Sequence, residues 1–314
     1  MRLAAVAVAA WFCATQAEAP RTAPPAPSAP FTRESALAKL LSAYPQAKLP
    51  PDDVPRGVTA HLDLVYATPE GGAPLALDLY VPPGAGPHPV AIVVHGGGWE
   101  TGDRRMERPF AARLAAAGYA AAPVSYRLGA AGRFPNALLD LRAAVRWLRA
   151  QAGRYHLDAM RVGAVGGSAG GQLVALLGAS NGEPDARGAE LRAVVDIDGL
   201  ADFTGAELVA KEIRSPGAPT RFLGGAYAAR ADVWRQASAI AHVGSRSAPT
   251  LFLNSTAPTP ILPGRPEMCA RLRGLGVDCA VVVVPDTPHP FWLVEPWFAR
   301  AVDETTRFFG RHMR

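Results

Sequence analysis

The sequence has 314 residues, of which 49% are hydrophobic, so it carries enough apolar side chains for the core of one large domain. Its formal net charge is +5 at pH 7, but the arginines are scattered and no basic block with interleaved aromatic residues occurs. This distribution argues against nucleic acid as a partner, and after the N-terminal segment no run of eighteen uninterrupted apolar residues predicts a membrane-spanning helix.

The N-terminus has the pattern of an export signal. A positive start, Met1-Arg2, precedes the apolar stretch LAAVAVAAWFCA (3–14), which is too short to cross a bilayer. The small residues AEA (17–19) predict cleavage after Ala19. We therefore expect a signal peptide over 1–19 and a secreted or periplasmic protein with no membrane contact after cleavage.

The mature chain is predicted to begin with a linker. Residues 20–33 are rich in proline and alanine and are expected to be disordered, whereas 34–314 is expected to form the catalytic domain. Cys13 would permit a lipid anchor, but the large Phe12 before it is unusual for a lipidated cysteine. After cleavage only Cys269 and Cys279 remain, and an oxidising compartment would permit a disulfide between them, the alternative being two buried thiols.

The middle of the chain predicts strands and helices in alternation. Apolar–polar alternation predicts half-buried strands over 58–67 and 74–82, joined by a hairpin, and continuous apolar runs predict buried strands later on. The later predicted strands are 88–98, 120–128, 160–167, 191–199, 249–255 and 278–286, and the predicted helices are 35–44, 109–119, 134–155, 168–180, 267–276 and 296–313. This order predicts an α/β fold with a mostly parallel central sheet and helices on both faces, and 203–245 is expected to form a small cap.

A serine follows one of these buried strands. The stretch GGSAG (166–170) places Ser168 between the predicted strand 160–167 and the predicted helix 168–180. In that context G-x-S-x-G is a nucleophile elbow, where a strained turn exposes the hydroxyl at a helix N-terminus. A plain glycine-rich turn is the alternative, and the strand–helix setting favours the nucleophile.

Two further motifs suit an acyl-transfer site. HGGGW (95–99) follows a predicted strand, and its glycines let backbone N–H groups approach a substrate, so Gly97, Gly98 and Ala169 are the predicted oxyanion-hole donors. His289, in PDTPHPFWL (285–293), follows the last predicted strand and is the predicted general base. The other histidines lie before the core strands, in the oxyanion loop or on the last helix, except His242, which precedes a strand.

With these motifs in order, the chain resembles the α/β-hydrolase superfamily. The stretches LDLYVP, HGGGW, VSYRL, AVRWLRA, GGSAGG and PHPFW, within residues 58–310, are most similar to hormone-sensitive-lipase-type esterases and to the acetyl-xylan, pectin and feruloyl esterase branch. The resemblance implies an α/β-hydrolase fold and a serine esterase that deacetylates or deferuloylates plant polysaccharide. A short-chain lipase or general carboxylesterase is an alternative, as is an inactive hydrolase-fold binding protein.

The sequence departs from the family where the catalytic acid usually lies. The segment NSTAPTPILPG (254–264) contains no carboxylate, although similar esterases carry an aspartate after this strand. Asp198, at the end of the preceding strand, is the predicted acid, and Asp286 is the alternative. Asp202 and Glu267 fit helix capping and helix-dipole roles better.

The remaining predictions concern the substrate pocket and bound groups. Trp99 and Trp292 are predicted to line the pocket because they adjoin the oxyanion loop and His289. No histidine, cysteine or acidic cluster has metal-ligand spacing, so neither a metal nor an organic cofactor is expected. The expected partner is a small-molecule or oligosaccharide ester substrate.

Overall fold

The computed structural model describes residues 30–256 and 262–313. The predicted signal peptide and most of the predicted linker lie outside the described residues. Within them the first helix begins at Arg33, one residue before the predicted domain boundary, and its N-cap Thr32 accepts a hydrogen bond from the Ser35 N–H.

Eight strands form a single sheet in the order β1-β2-β4-β3-β5-β6-β7-β8. They are β1 (Thr59–Ala67), β2 (Leu75–Val81), β3 (His88–Val94), β4 (Ala120–Val124), β5 (Leu157–Gly167), β6 (Ala193–Ile197), β7 (Thr250–Asn254) and β8 (Cys279–Val283). β2 runs antiparallel to both β1 and β4, and every other neighbouring pair is parallel. The predicted mostly parallel sheet is confirmed.

Helices cover both faces of this sheet. They are α1 (Arg33–Leu40), α2 (Arg108–Ala116), α3 (Asn136–Ala150), α4 (Ala152–Tyr155), α5 (Ala169–Ala179), α6 (Ala206–Arg214), α7 (Ala218–Phe222), α8 (Tyr227–Ala237), α9 (Arg265–Gly274) and α10 (Trp297–His312). α3, α5 and α9 pack on one face, and α1, α2 and α10 pack on the other. The central strands are therefore buried on both sides, which explains their unbroken apolar sequences.

The cap lies between β6 and β7, within the predicted segment 203–245, and consists of α6, α7, α8 and a short 3₁₀ turn at 239–242. The α7 residue Phe222 stacks on Trp99, with ring centroids 4.7 Å apart. The cap is therefore in contact with the loop that follows β3.

Two other features complete the fold. Cys269 of α9 and Cys279 of β8 form a disulfide. Across the described ranges, none of the helices combines the length and the apolar composition that crossing a bilayer requires.

Candidate active site

Ser168 occupies a sharp turn between β5 and α5. Its backbone has φ 56° and ψ −119°, a region that non-glycine residues rarely adopt. Its N–H donates to the Ile197 carbonyl at 2.7 Å, which anchors the turn to β6. Glycine is required beside it, because a Cβ on Gly170 would lie 2.1 Å from the Val94 carbonyl oxygen. The glycines of GGSAG therefore allow α5 to pass close to β3.

A histidine and an aspartate distant in sequence meet this serine. His289 Nε2 lies 3.1 Å from Ser168 Oγ, and His289 Nδ1 lies 3.0 Å from Asp198 Oδ2. Both distances are within hydrogen-bond reach. The imidazole side chain is 26% exposed, so the site is open to solvent. This chain of contacts has the geometry of a serine-hydrolase triad.

Asp198 directly follows β6 and has no exposed surface. Its backbone also lies in the left-handed region, with φ 53°. Burial alone would raise the pKa of Asp198, but the hydrogen bond and charge of His289, together with hydrogen bonding from Ser255, hold that pKa below its usual value. The Ser255 N–H donates to Asp198 Oδ1 at 2.8 Å. Asp198 is therefore an anion that presents its second oxygen to His289.

Asp286, the alternative acid, lies elsewhere. It is exposed in the turn after β8, and its backbone has φ 53°. The aspartate in contact with His289 Nδ1 is Asp198. The turn therefore leads Asp286 into solvent and not back towards the imidazole of its own loop.

The glycine loop after β3 runs beside the serine. A Cβ on Gly96 would lie 3.2 Å from the Ser168 Cβ. Gly97 has φ 115°, and a Cβ there would lie 2.0 Å from the Thr101 carbonyl oxygen, so glycine is required at this position. Within the described part of the chain, the backbone N–H groups of Gly97 and Gly98 have no recorded protein acceptor. Ala169 is the first residue of α5, so its N–H lies at the positive end of the helix dipole.

A buried histidine and tyrosine support this loop. Burial lowers the pKa of His95 to about 4, so its imidazole is neutral, and Nδ1 lies 2.8 Å from the Gly96 carbonyl oxygen. Tyr126, from the VSYRL motif, stacks on His95 and donates its hydroxyl hydrogen to the His95 carbonyl oxygen at 2.9 Å. This support explains why both motifs accompany the serine.

Both tryptophans predicted to line the pocket are almost completely buried. Trp99 is 6% exposed and donates its indole N–H to Gln172 Oε1 at 3.0 Å. Trp292 is 1% exposed, packs edge-on against His289, and fills the space that a side chain at Gly167 would need. Each ring packs in the protein interior, and each therefore supports the site from beneath its surface.

Sequence reasoning missed several residues in the shell around the triad. The missed residues are Glu107, Gln172, Asp196, Asn254 and Arg265, and all but the partly buried Asn254 are buried. A signal existed for Gln172, which lies four residues after Ser168 and therefore one helical turn away in α5. The others come from separate elements, and no motif links them.

Comparison with known proteins extends this picture. The sequence model of the BD-FAE family matches residues 77–263. Esterase LipC of Mycobacterium tuberculosis is 36% identical over 99 residues, which are 31% of this chain and 25% of LipC. Esterase LipQ of the same organism is 27% identical over 261 residues, covering 77% of this chain and 62% of LipQ. The chain thus spans less than two thirds of the length of either relative.

Solved structures share the fold at low sequence identity. A truncated form of a carbohydrate esterase from gut microbiota superimposes with a TM-score of 0.70 at 20% identity, over 85% of this chain and 99% of that one. Thermogutta terrifontis esterase 2 phosphonylated by sarin superimposes with a TM-score of 0.67 at 21% identity, over 84% of this chain and 97% of that one. These likenesses confirm the α/β-hydrolase fold.

Proposed function

The chain belongs to the BD-FAE family, and from that premise we propose that it is a serine carboxylic-ester hydrolase acting on acetyl or feruloyl esters of plant polysaccharide. The observation that carries the proposal is the placement of His289 between Ser168 and Asp198, at 3.1 and 3.0 Å. A binding protein that had lost activity would have no need to retain a strained serine at hydrogen-bond distance from a paired imidazole.

The proposed reaction proceeds in two halves. Ser168 Oγ attacks the ester carbonyl carbon while His289 Nε2 takes the hydroxyl proton, and the oxyanion is held by the N–H groups of Gly97, Gly98 and Ala169. His289 then returns the proton to the departing alcohol, leaving an acyl group on Ser168. Water, deprotonated by His289, then attacks the acyl carbon; the bond to Ser168 Oγ breaks, His289 returns the proton to that oxygen, and the acid leaves. Asp198 stabilises the imidazolium in both halves.

The polysaccharide substrate is the finer part of the proposal. It is supported by the fold likeness to a protein described as a carbohydrate esterase and by the exposure of the imidazole, because an ester on a polymer must reach the serine from outside. Export is proposed with it, and the Cys269–Cys279 disulfide supports export because such bonds persist in oxidising compartments.

The proposal is tested with p-nitrophenyl esters and acetylated xylan. We expect hydrolysis of p-nitrophenyl acetate by the wild type, a loss of several powers of ten in Ser168→Ala, and acetate release from the xylan. Substantial turnover in purified Ser168→Ala would contradict the nucleophile. A rate maximum at acyl chains of eight carbons or longer, without acetate release, would instead favour the lipase alternative.

A further inference from the structure

A buried arginine lies beside the proposed catalytic acid. Arg265 is the first residue of α9, and its side chain is 4% exposed. Its Nη1 donates to Asn254 Oδ1 at 2.6 Å and lies 3.7 Å from Asp198 Oδ1. A buried guanidinium is costly to desolvate unless it is paired, so its place next to this carboxylate calls for an explanation.

The same corner holds a second buried carboxyl. Asp196 is completely buried, and one of its oxygens accepts the Gly199 N–H at 2.6 Å. Burial raises the pKa of Asp196 to about 7, although the charge of Arg265 opposes this. Below that pH Asp196 is therefore protonated, and the corner holds the anion Asp198 beside the cation Arg265.

Charged groups from several elements surround this corner. Around the corner lie Asp196 from β6, Asp198 from the turn after it, Arg265 from α9 and His289 from the loop after β8. Glu107 and Arg33 lie further off, beside the Trp292 that packs against His289. Arg265 is the guanidinium that lies against Asp198. Among the described residues, its removal would leave Asp198 with His289 as its ion-pair partner.

We propose that Arg265 is a positioning residue that orients Asp198 towards His289 and, by its charge, disfavours a second positive charge on the imidazole. The proposal rests on the proposed ester hydrolysis. The Ser255 N–H donates to Asp198 Oδ1, and Arg265 Nη1 lies 3.7 Å from the same oxygen, while Oδ2 faces His289 Nδ1. A fixed positive charge nearby disfavours a second one on the imidazole, and only neutral His289 can accept the proton from Ser168.

The test compares the pH dependence of kcat/KM in charge-altering variants. In Arg265→Gln we expect kcat to fall by about 10- to 100-fold with KM within about threefold, and the acidic limb of the profile to move up by about one pH unit. In Arg265→Lys the charge remains, so the limb should stay at its wild-type position even if kcat is only partly restored. Arg271→Gln, on the exposed side of the same helix, is the matched control and should change neither kcat nor the position of the acidic limb.

Other outcomes would overturn the proposal. A lower kcat in Arg265→Gln with an unmoved acidic limb would mean that the arginine only stabilises the fold. If Arg265→Gln does not fold, Asp196→Asn/Arg265→Gln removes the second buried carboxyl together with the arginine, and the same shift is expected. If the wild type lacks Ser168-dependent turnover, the proposed function fails separately; proton NMR titration of the His289 ring in the same variants would then still reveal or exclude the shift.

Discussion

The carboxylate that contacts His289 follows β6, although in similar esterases it follows the next strand. Its position is stabilised from β7 nonetheless, because the Ser255 N–H donates to Asp198 Oδ1. The φ of 53° at Asp198 matches the 56° at Ser168, so both polar groups of the site occupy strained turns at strand ends. Strain of this kind persists where the surrounding packing fixes it.

This placement predicts unequal effects at the two candidate acids. Asp198→Asn should lower kcat/KM for p-nitrophenyl acetate by about three to four powers of ten, because the amide no longer stabilises the imidazolium. Asp286→Asn should remain within about twofold of the wild type, because its side chain is exposed. A crippled Asp286→Asn beside an active Asp198→Asn would reverse the assignment.

Glu107 is a buried acid whose protonation affects stability. Burial raises its pKa to about 8, and Trp292 and Arg33 only partly oppose this. The folded state therefore keeps a proton that the unfolded state loses above about pH 4.5, so between about pH 4.5 and 8 the free energy of unfolding falls as pH rises. The contribution of Glu107 is least unfavourable at the acidic end of that window.

Replacing Glu107 with glutamine should remove its contribution to the pH dependence of the free energy of unfolding. We expect Glu107→Gln to change the free energy of unfolding little near pH 5 and to raise it by on the order of a few kcal/mol at pH 8. Urea unfolding at both pH values measures this, with exposed Glu267→Gln as the control. An equal effect at pH 5 and pH 8 would show that Glu107 is ionised in the folded protein.

A site residue could be predicted from the sequence when it lies in a short local motif. Ser168 and the oxyanion glycines lie in short motifs whose backbone geometry demands particular residues. Arg265 carries no such signal, since its partners Asn254 and Asp198 come from two other elements. Trp99 was predicted to line the pocket because its sequence neighbours face the substrate, but its ring turns inward to Gln172.

At the scale of elements, one side chain joins three parts of the site. Gln172 of α5 is completely buried; it accepts the Trp99 indole N–H at 3.0 Å and donates Nε2–H to the Ala237 carbonyl at 3.0 Å. Trp99 in turn stacks on Phe222 of the cap. The nucleophile helix, the oxyanion loop and the cap are therefore linked through a single carboxamide.

Breaking this link should disturb catalysis as well as stability. In Gln172→Met two buried polar groups lose their partners, at a cost of about 1–3 kcal/mol each in free energy of unfolding. We expect kcat to fall at least about tenfold as well, because Trp99 adjoins Gly98, the proposed oxyanion donor. Exposed Gln236→Met is the matched control; a destabilised Gln172→Met with wild-type kcat would limit Gln172 to a structural role.

Most strands and helices followed from their sequence patterns, and the exceptions have local causes. β3 ends at Val94 and not at 98, because the glycines turn the chain away from the sheet. The predicted helix 134–155 is two helices, interrupted at Gln151. The individual cap helices were not predicted, since they pack on the oxyanion loop and α5, and such partners are distant in sequence.

At the scale of the whole molecule, the disulfide ties α9 to the last strand of the sheet. It closes a loop with a sequence separation of 10 residues, for which chain-entropy arguments give about 2–3 kcal/mol. Reduction should lower the free energy of unfolding by that amount. Urea unfolding with and without reductant measures it, and Cys269→Ala/Cys279→Ala should be insensitive to reductant. If reductant leaves the free energy of unfolding of the wild type unchanged, the disulfide contributes nothing to stability.

The central claim is that Ser168 is the nucleophile of an ester hydrolase, and covalent labelling tests it most directly. A fluorophosphonate should modify the folded protein with one equivalent per chain, on the peptide that contains Ser168, and hydrolysis of p-nitrophenyl acetate should be lost in proportion to labelling. Full inactivation with the Ser168 peptide unmodified, or one-equivalent labelling at another residue, would contradict the account.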